Sequence, residues 1–327
     1  MTKNFYTILL VLYTISVIAQ TNSSDQVNQV KPTTDSFRFV AFGDMPYFLP
    51  KDDLRFENLI EQLNQGDQVF NVFVGDFKSS KTKCNDSIYY KMFHYFEKFK
   101  APLFYTPGDN EWTDCRFTNN VRNTPEERLF FLRKLFFTNS SSLGLHKMKT
   151  ISESSLPKFK KFVENQQWNY GGVSFATIHI VGSNNNLKKV TLEENTEFQE
   201  REEASLFWLK NIFQTALSNN SLGIVIMIHA DIINPEGDGS GFKKFITELK
   251  KNVEEYKKPI LLIHGDSHKF IIDKPFTHQN IADKTIMNFT RLQVFGETDM
   301  HAVEITVEPS TPNLFHFREV WINKNNP

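Results

Sequence analysis

Five short apolar runs in this sequence each end in side chains that can bind a cation or move a proton. The run 37–42 leads into Gly43-Asp44, 69–74 into Gly75-Asp76, and 103–106 into Pro107-Gly108-Asp109-Asn110-Glu111. The run 224–228 ends in His229, and 260–263 in His264-Gly265-Asp266-Ser267-His268. Carboxylate oxygen and imidazole nitrogen are ligands for divalent ions. A carboxylate such as Asp76 can bridge two of them, forming the clamp that suits phosphoryl chemistry. Taken singly, a Gly-Asp after an apolar run is a turn, and a lone histidine is a hydrogen-bonded structural residue. The clustering of five in order is the signal.

Something must gather residues so far apart in the chain. Between the runs lie amphipathic stretches at 52–64, 87–99, 125–137, 193–217 and 241–256, and a further β-branched run covers 173–181. Strands alternating with helices predict a layered α/β sheet. The third helix opens on Thr124-Pro125-Glu126-Glu127, a capping box with proline at the first helical position. The end of the chain, at 292–295, 303–307 and 314–321, reads as antiparallel strands. In an open α/β sheet ligands bind beyond the carboxyl ends of the strands. Glycine there lets the chain turn and present the next carboxylate.

Residues 1–19 carry one charge, Lys3, then an uncharged apolar run from Ile8 ending in Val17-Ile18-Ala19. That pattern predicts a cleaved secretory signal. An uncleaved anchor is the competing reading, but the run is shorter than the ~20 residues a spanning helix needs. The mature chain is then expected outside the cell or in the secretory lumen, with no membrane contact after cleavage. A polar tail at 20–36 precedes one domain over 37–327, since no linker interrupts that stretch. Sequons at Asn22, Asn85, Asn139, Asn219 and Asn288 permit glycosylation. Cys84 and Cys115 can pair in an oxidising compartment; two free buried thiols are the alternative. They are too few for a structural zinc site. With 37 basic and 38 acidic residues, nothing drives nucleic-acid binding. The 40% hydrophobic content excludes a disordered chain.

The constellation resembles that of the calcineurin-like metallophosphoesterase superfamily, which includes the purple acid phosphatases. That family places Asp after its first strand, Gly-Asp after the second, Gly-Asn-His-Glu/Asp after the third, then His, then Gly-His-x-His. The likeness runs from residue 37 to about residue 307. It implies an α/β fold, the four-layer α/β/β/α sandwich. It also implies two divalent ions and hydrolysis of a small-molecule phosphate mono- or diester by a metal-bound hydroxide. Asp44, Asp76 and His268 would surround one ion; Asp76 (bridging), Asp109, His229 and Asp266 would surround the other.

The departures matter as much. Asp44-Met45-Pro46-Tyr47 stands where the family often has Asp-x-His. The tyrosine that colours purple acid phosphatases would fall at Ser79, so no tyrosinate–iron band is expected unless Tyr47 reaches in. Asp109 replaces the usual Asn ligand, Asp266 the first His of Gly-His-x-His, and Asn110 the catalytic His. Two divalent ions would neutralise the four aspartates, and so oxygen-rich a shell favours Mn²⁺, Mg²⁺ or Ca²⁺, with Fe or Zn as alternatives. Asn110 cannot donate as an acid and is expected to position a substrate oxygen. His264 could supply that proton or serve as the missing ligand, because 264, 266 and 268 share a face if the strand continues. Arg116 could clamp a phosphate or form a surface ion pair. Asn184, in Ser183-Asn184-Asn185-Asn186, could offer its amide to substrate or belong to a polar turn.

A second functional reading is a non-catalytic binding protein that keeps the fold. The missing Asp-x-His and the missing catalytic His motivate it. Against it stand the additional carboxylates, whose crowding is costly without cations.

Overall fold

Strand β1 (Phe37–Phe42) shows why two sheets stack. Phe37, Phe39 and Ala41 enter one apolar core while Val40 and Phe42 enter another. Successive strand side chains face opposite ways, so a strand apolar on both faces must be covered twice. The computed structural model describes residues 35–117, 124–188, 191, 193–278 and 283–325. The expected signal at 1–19, the tail except its last two residues, and Asn22 lie outside the described residues.

The first sheet has the order β12-β11-β1-β2-β3, where β2 is Asn71–Phe73, β3 Leu103–Tyr105, β11 Ala302–Val307 and β12 Phe315–Val320. Strands β1, β2 and β3 run parallel; β11 lies antiparallel to both β1 and β12. The second sheet has the order β4-β5-β6-β7-β8-β10-β9. Its members are β4 (Ile151–Ser152), β5 (Gln166–Tyr170), β6 (Val173–Thr177), β7 (Ile224–Met227), β8 (Ile260–His264), β9 (Ile271–Asp273) and β10 (Phe289–Gln293). Here β6, β7, β8 and β10 are parallel.

Helices α1 (Asp53–Leu63), α2 (Asp86–Phe96) and α3 (Pro125–Phe136) cover the outer face of the first sheet, sharing a core with Val40, Phe73 and Tyr105. Helices α4 (Thr196–Ser218) and α5 (Lys243–Tyr256) cover the second, against Ile226, Ile228 and Leu262. The inner faces meet through Phe39, Val72, Phe104, Val225 and Ile263. The result is the expected four-layer α/β/β/α sandwich. Phe39 is fully buried with ring centroids 5.1 Å from Phe70 and 5.6 Å from Phe175. Truncating such a phenylalanine to alanine costs about 3–5 kcal/mol.

Helix α3 begins as its capping box predicts, with Thr124 Oγ1 accepting from Glu127 N at 3.2 Å. Two expectations change. The strand read over 173–181 stops at Thr177. The strand near 292 lies at Phe289–Gln293 and runs parallel to β8, antiparallel only to β9, because it extends the parallel sheet rather than starting a separate antiparallel end.

Among the described residues no helix is long and apolar enough to cross a membrane. Asn85, Asn139 and Asn219 are exposed. Asn288 differs: its amide donates to Val253 O at 3.1 Å and Lys258 O at 3.2 Å, engaging the nitrogen a glycan would need.

Candidate metal centre

The carboxyl ends of β1, β2 and β3 meet those of β7 and β8 across the two sheets, as the open-sheet rule requires of a ligand site. Four expected ligands there adopt left-handed backbone: Asp44 (φ 52°), Asp76 (60°), Asp266 (78°) and His268 (57°). Such conformations cost non-glycine residues roughly 1–2 kcal/mol each, least for Asp and Asn. They turn the chain off the strand line while keeping a side chain, which glycine would forfeit. Gly75 has the complementary task. With φ 92°, it comes so close to its neighbours that a Cβ would lie 2.5 Å from Gly108 N and 2.7 Å from His229 Nδ1.

His229 is the hub. Its Nε2 lies 3.0 Å from Asp109 Oδ1, 3.5 Å from Asp76 Oδ1 and 3.8 Å from Asp266 Oδ1. Its Nδ1 is 2.7 Å from Val74 O, a contact that uses the Nδ1 proton and leaves Nε2 as the ring atom facing the carboxylates. The ligand atoms of Asp44, Asp76 and His229 lie within 4.8 Å of one another, as do those of Asp109, His229 and Asp266.

The electrostatics are strained. Burial pushes Asp44 and Asp76 well above the usual carboxylate range, and neighbouring carboxylates add to the shift. Burial, then Asp109, pushes Asp266 up to about 7. Burial opposes the charged form of His229, but the carboxylates outweigh it and raise its pKa. Burial likewise opposes ionisation of Asp109, and His229 reverses the balance and lowers it. Lys78, a buried ammonium, donates to Ser79 O at 3.0 Å. Three buried carboxylates, a half-buried one at Asp266 and the imidazole of His229 form a donor set that fits divalent ions.

His268 stands at the margin. Its Nε2 is 3.7 Å from Asp44 Oδ1 and 2.8 Å from the Tyr47 hydroxyl, while Nδ1 is 2.7 Å from the Glu297 carboxylate. Tyr47 does reach in, donating to Asp76 Oδ2 at 2.9 Å. The Asn110 amide donates to that same Asp76 oxygen and, at 3.2 Å, to Tyr47 Oη, so it is committed to the cluster rather than turned outward.

His264 is not brought to the site. Strand β8 ends at His264, and the left-handed Asp266 breaks the alternation that would have put 264, 266 and 268 on one face. The ring is fully buried, with Nδ1 2.9 Å from Gly265 O, and burial lowers its pKa to about 4. Asn184 also differs from expectation. Its amide donates to Ser240 Oγ at 3.2 Å and accepts from Gly241 N at 2.9 Å, so it holds a turn. Arg116 is exposed and donates to Asn186 Oδ1 at 3.3 Å. Cys84 and Cys115 are joined, with Cα atoms 5.7 Å apart, linking the segments after β2 and β3. Closing a loop of this size stabilises by roughly 3–4 kcal/mol on the loop-entropy argument.

Glu111 and Lys78 were not singled out by sequence reasoning. Glu111 Oε1 accepts from Asp76 N at 2.7 Å and from Tyr105 Oη at 3.1 Å, clamping the turn that presents Asp76. Only the position of Glu111 directly after Asp109-Asn110 hinted at a role.

No protein-family model matches the chain, and no curated protein matches it. Solved structures do. A purple acid phosphatase from yellow lupin (Lupinus luteus) superposes with a TM-score of 0.56 at 14% identity, over 90% of this chain and 53% of that one. The fold is that of the metallophosphoesterases. This chain spans about half the length of the lupin enzyme. Two further likenesses are GAP50, the anchor in the inner membrane complex of Plasmodium, and a dimetal phosphatase from Danio rerio. GAP50 gives a TM-score of 0.49 at 12% identity, covering 87% of this chain and 88% of that one. The Danio rerio protein gives 0.48 at 10%, covering 88% and 99%.

Within this metallophosphoesterase fold one segment beside the carboxylates is unusual. Ser183, Asn184, Asn185 and Asn186 are all left-handed, with φ from 50° to 57°. The run is held by Arg201, a fully buried arginine of α4 that donates to Asn185 O at 2.8 Å and to Asn185 Oδ1.

Proposed function

We propose that this chain is a secreted metal-dependent phosphoesterase, folded as one domain over 37–327, that hydrolyses a phosphate mono- or diester of a small molecule. The observation that carries it is the convergence of the buried carboxylates of Asp44, Asp76 and Asp109, and the half-buried one of Asp266, near His229 Nε2. Burial alone penalises such an arrangement, and cations relieve it. Asp44 and Asp76, with His268 at the margin, would hold one ion. Asp76, Asp109, His229 and Asp266 would hold the other, with Mn²⁺, Mg²⁺ or Ca²⁺ favoured. Bound there, divalent ions supply Lewis acidity toward a phosphate and toward water.

The chain's own residues prepare that chemistry. Val74 O fixes the His229 tautomer, and Glu111 holds the Asp76 backbone. Tyr47 and Asn110 both bond Asp76 Oδ2, orienting the carboxylate proposed to bridge. Arg116, at the exposed rim, is the side chain proposed to meet the phosphate. With Asn110 in the acid's place and His264 turned inward, the leaving group lacks an imidazole donor. An acid of that kind contributes ~10²–10⁴-fold, so good leaving groups such as aryl oxides are the expected substrates. Secretion rests on the N-terminal signal pattern and the cysteine pair, with glycans proposed at the exposed Asn85, Asn139 and Asn219.

The commitment of Asn110 to Asp76 and Tyr47 also favours a second reading, a non-catalytic binding protein. Purified protein assayed on an aryl phosphate and an aryl phosphodiester, with Mn²⁺ and with chelator, separates the two. Turnover that chelator abolishes is the expected result. Absence of turnover with every ion, in protein that demonstrably binds metal, overturns the enzymatic reading in favour of the binding one.

A further inference from the structure

Gly182 lies against the two carboxylates that flank His229. A Cβ built on it would stand 2.7 Å from Asp109 Oδ1 and 2.7 Å from Asp266 Oδ1. These distances are below any real side-chain contact, so the bare backbone of residue 182 is what the two oxygens pack against. Gly182 itself has no left-handed φ, which leaves close approach as the reason for glycine here. The left-handed run from Ser183 to Asn186 begins at the next residue.

That run is anchored on several sides. Arg201 grips the Asn185 carbonyl and side-chain oxygens while its Nε donates to Glu197 at 2.7 Å. Asn185 Nδ2 donates to Gly241 O at 3.2 Å, and Asn184 Oδ1 accepts from Gly241 N at 2.9 Å. Asn186 donates to Glu197 at 2.8 Å and accepts from Arg116 at 3.3 Å. Strain of this kind persists only where surrounding contacts over-determine it. Here those contacts come from α4, from the segment before α5 and from the segment after β3, where Ser183 Oγ donates to Asp114 Oδ1 at 2.7 Å, so the turn is pinned from both sheets.

We infer that Gly182, backed by this turn and by Arg201, is a positioning residue that sets which ion the Asp109–His229–Asp266 position accepts. With one wall rigid, Asp109 and Asp266 cannot move back on that side. Small ions bind oxygen at ~2.0–2.2 Å in demanding geometry, whereas Ca²⁺ takes 6–8 oxygens at ~2.3–2.6 Å in a yielding shell. A rigid wall therefore favours Mn²⁺ or Mg²⁺ over Ca²⁺ at this position. The Asp44 and Asp76 carboxylates pack against other glycines, Gly265 and Gly108, where a Cβ would lie 2.1 Å from Asp44 Oδ2 and 2.1 Å from Asp76 Oδ1, so a change at Gly182 does not reach that position directly.

The inference rests on the metal-site reading above, and one calorimetric experiment keeps the two apart. Chelator-stripped full-length chain is titrated with Mn²⁺ and, separately, with Ca²⁺, as wild type, Gly182→Ala and Arg201→Lys. Wild type is expected to show two classes of Mn²⁺ site. Gly182→Ala is expected to weaken one class by about tenfold or more, within the range seen when supporting groups around a metal site are changed. Its Ca²⁺ affinity at that class should fall more, because the added Cβ presses both oxygens toward the ion and narrows the position. Arg201→Lys keeps the charge opposite Glu197 but loosens the turn, so it should weaken Mn²⁺ at the same class by a smaller factor and Ca²⁺ less than Mn²⁺, and it carries the test if alanine at 182 prevents folding. Unchanged Mn²⁺ binding in the folded variants, equal weakening of both classes, or equal losses for Mn²⁺ and Ca²⁺ overturns the inference and leaves the proposed function standing. A wild-type chain that binds no ion overturns the proposed function itself, and the inference with it.

Discussion

Two buried clusters of acids and imidazoles can be set side by side, one at the strand ends and one between α3 and the ends of β5 and β6. In the second, Glu164 is fully buried, bound by Arg133 at 2.5 and 2.9 Å and by His179 Nδ1 at 2.7 Å. Burial opposes its charge, but Arg133 and His179 outweigh burial and hold the carboxyl far below its ordinary range. At the strand ends, burial leads and the carboxylates repel one another, so Asp44, Asp76 and Asp266 are all pushed up. The first sheet's helices supply the interior cluster with its own cation. The strand-end cluster, with Lys78 turned onto Ser79 O, has carboxylates in excess. One cluster is complete as folded, whereas the other calls for charge from outside.

The strongest way to break this contrast is Asp76→Asn. It should reduce turnover by about 10³-fold or more, since metal clamping is worth several kcal/mol in the transition state. The circular dichroism spectrum should be unchanged; retained turnover would count against the bridging role. Next comes Arg133→Met, which strands a buried carboxylate and should destabilise by about 3–5 kcal/mol in urea unfolding. The double variant Arg133→Met/Glu164→Gln should recover much of that loss, and no recovery would refute the pairing argument.

Glu153 sharpens the contrast through pH. It is fully buried and accepts from Asn165 Nδ2 at 2.7 Å, and burial pushes it up to about 8. A carboxyl raised in the folded state holds its proton there longer than in the unfolded chain. Its contribution is therefore fully present below its ordinary pKa of 4.5 and is lost as pH rises through about 8. Glu164 has the opposite sign, stabilising at neutral pH and failing only in strong acid. Glu153→Gln should thus change little at pH 4 and stabilise by on the order of 3 kcal/mol at pH 9. Equal melting shifts at both pH values would contradict this.

The smallest effect tests repulsion in the strand-end cluster directly. Asp266→Asn should stabilise the chelator-treated chain at pH 8 by on the order of 1 kcal/mol. The same variant should lose most of the stabilisation that Mn²⁺ provides, about 2.7 kcal/mol for wild type at a hundredfold excess over Kd. Thermal melts with and without Mn²⁺ measure both. Destabilisation of the metal-free chain would show that Asp266 is no electrostatic burden.

Much of the fold was legible because its signals are local. The β1 reading matches the strand end for end, since Phe-Arg-Phe-Val-Ala-Phe is bounded by Gly43. Helix α3 was marked by its own cap. Strand β5 was missed, its Gln-Gln-Trp-Asn-Tyr being too polar to stand out, although Gly171-Gly172 (φ 53° and 78°) is a hairpin signal before β6. At the site, the strand-end acids were readable as a set. Glu111 and Gly182 were not, because each acts on a residue of another segment, and Tyr47 was named only as a side chain that could reach in. His264 was misread because a two-residue alternation was extended past the end of its strand.

By itself the amino-acid sequence determined which ligand chemistries stand at the ends of which apolar runs, and so the excess of carboxylate in one crevice. Side-chain type and strand periodicity are properties of the local chain. Only the tertiary structure decided where those groups point. The left-handed turns at Asp44, Asp76, Asp266 and His268 are unfavourable in isolation and persist through contacts made by distant segments.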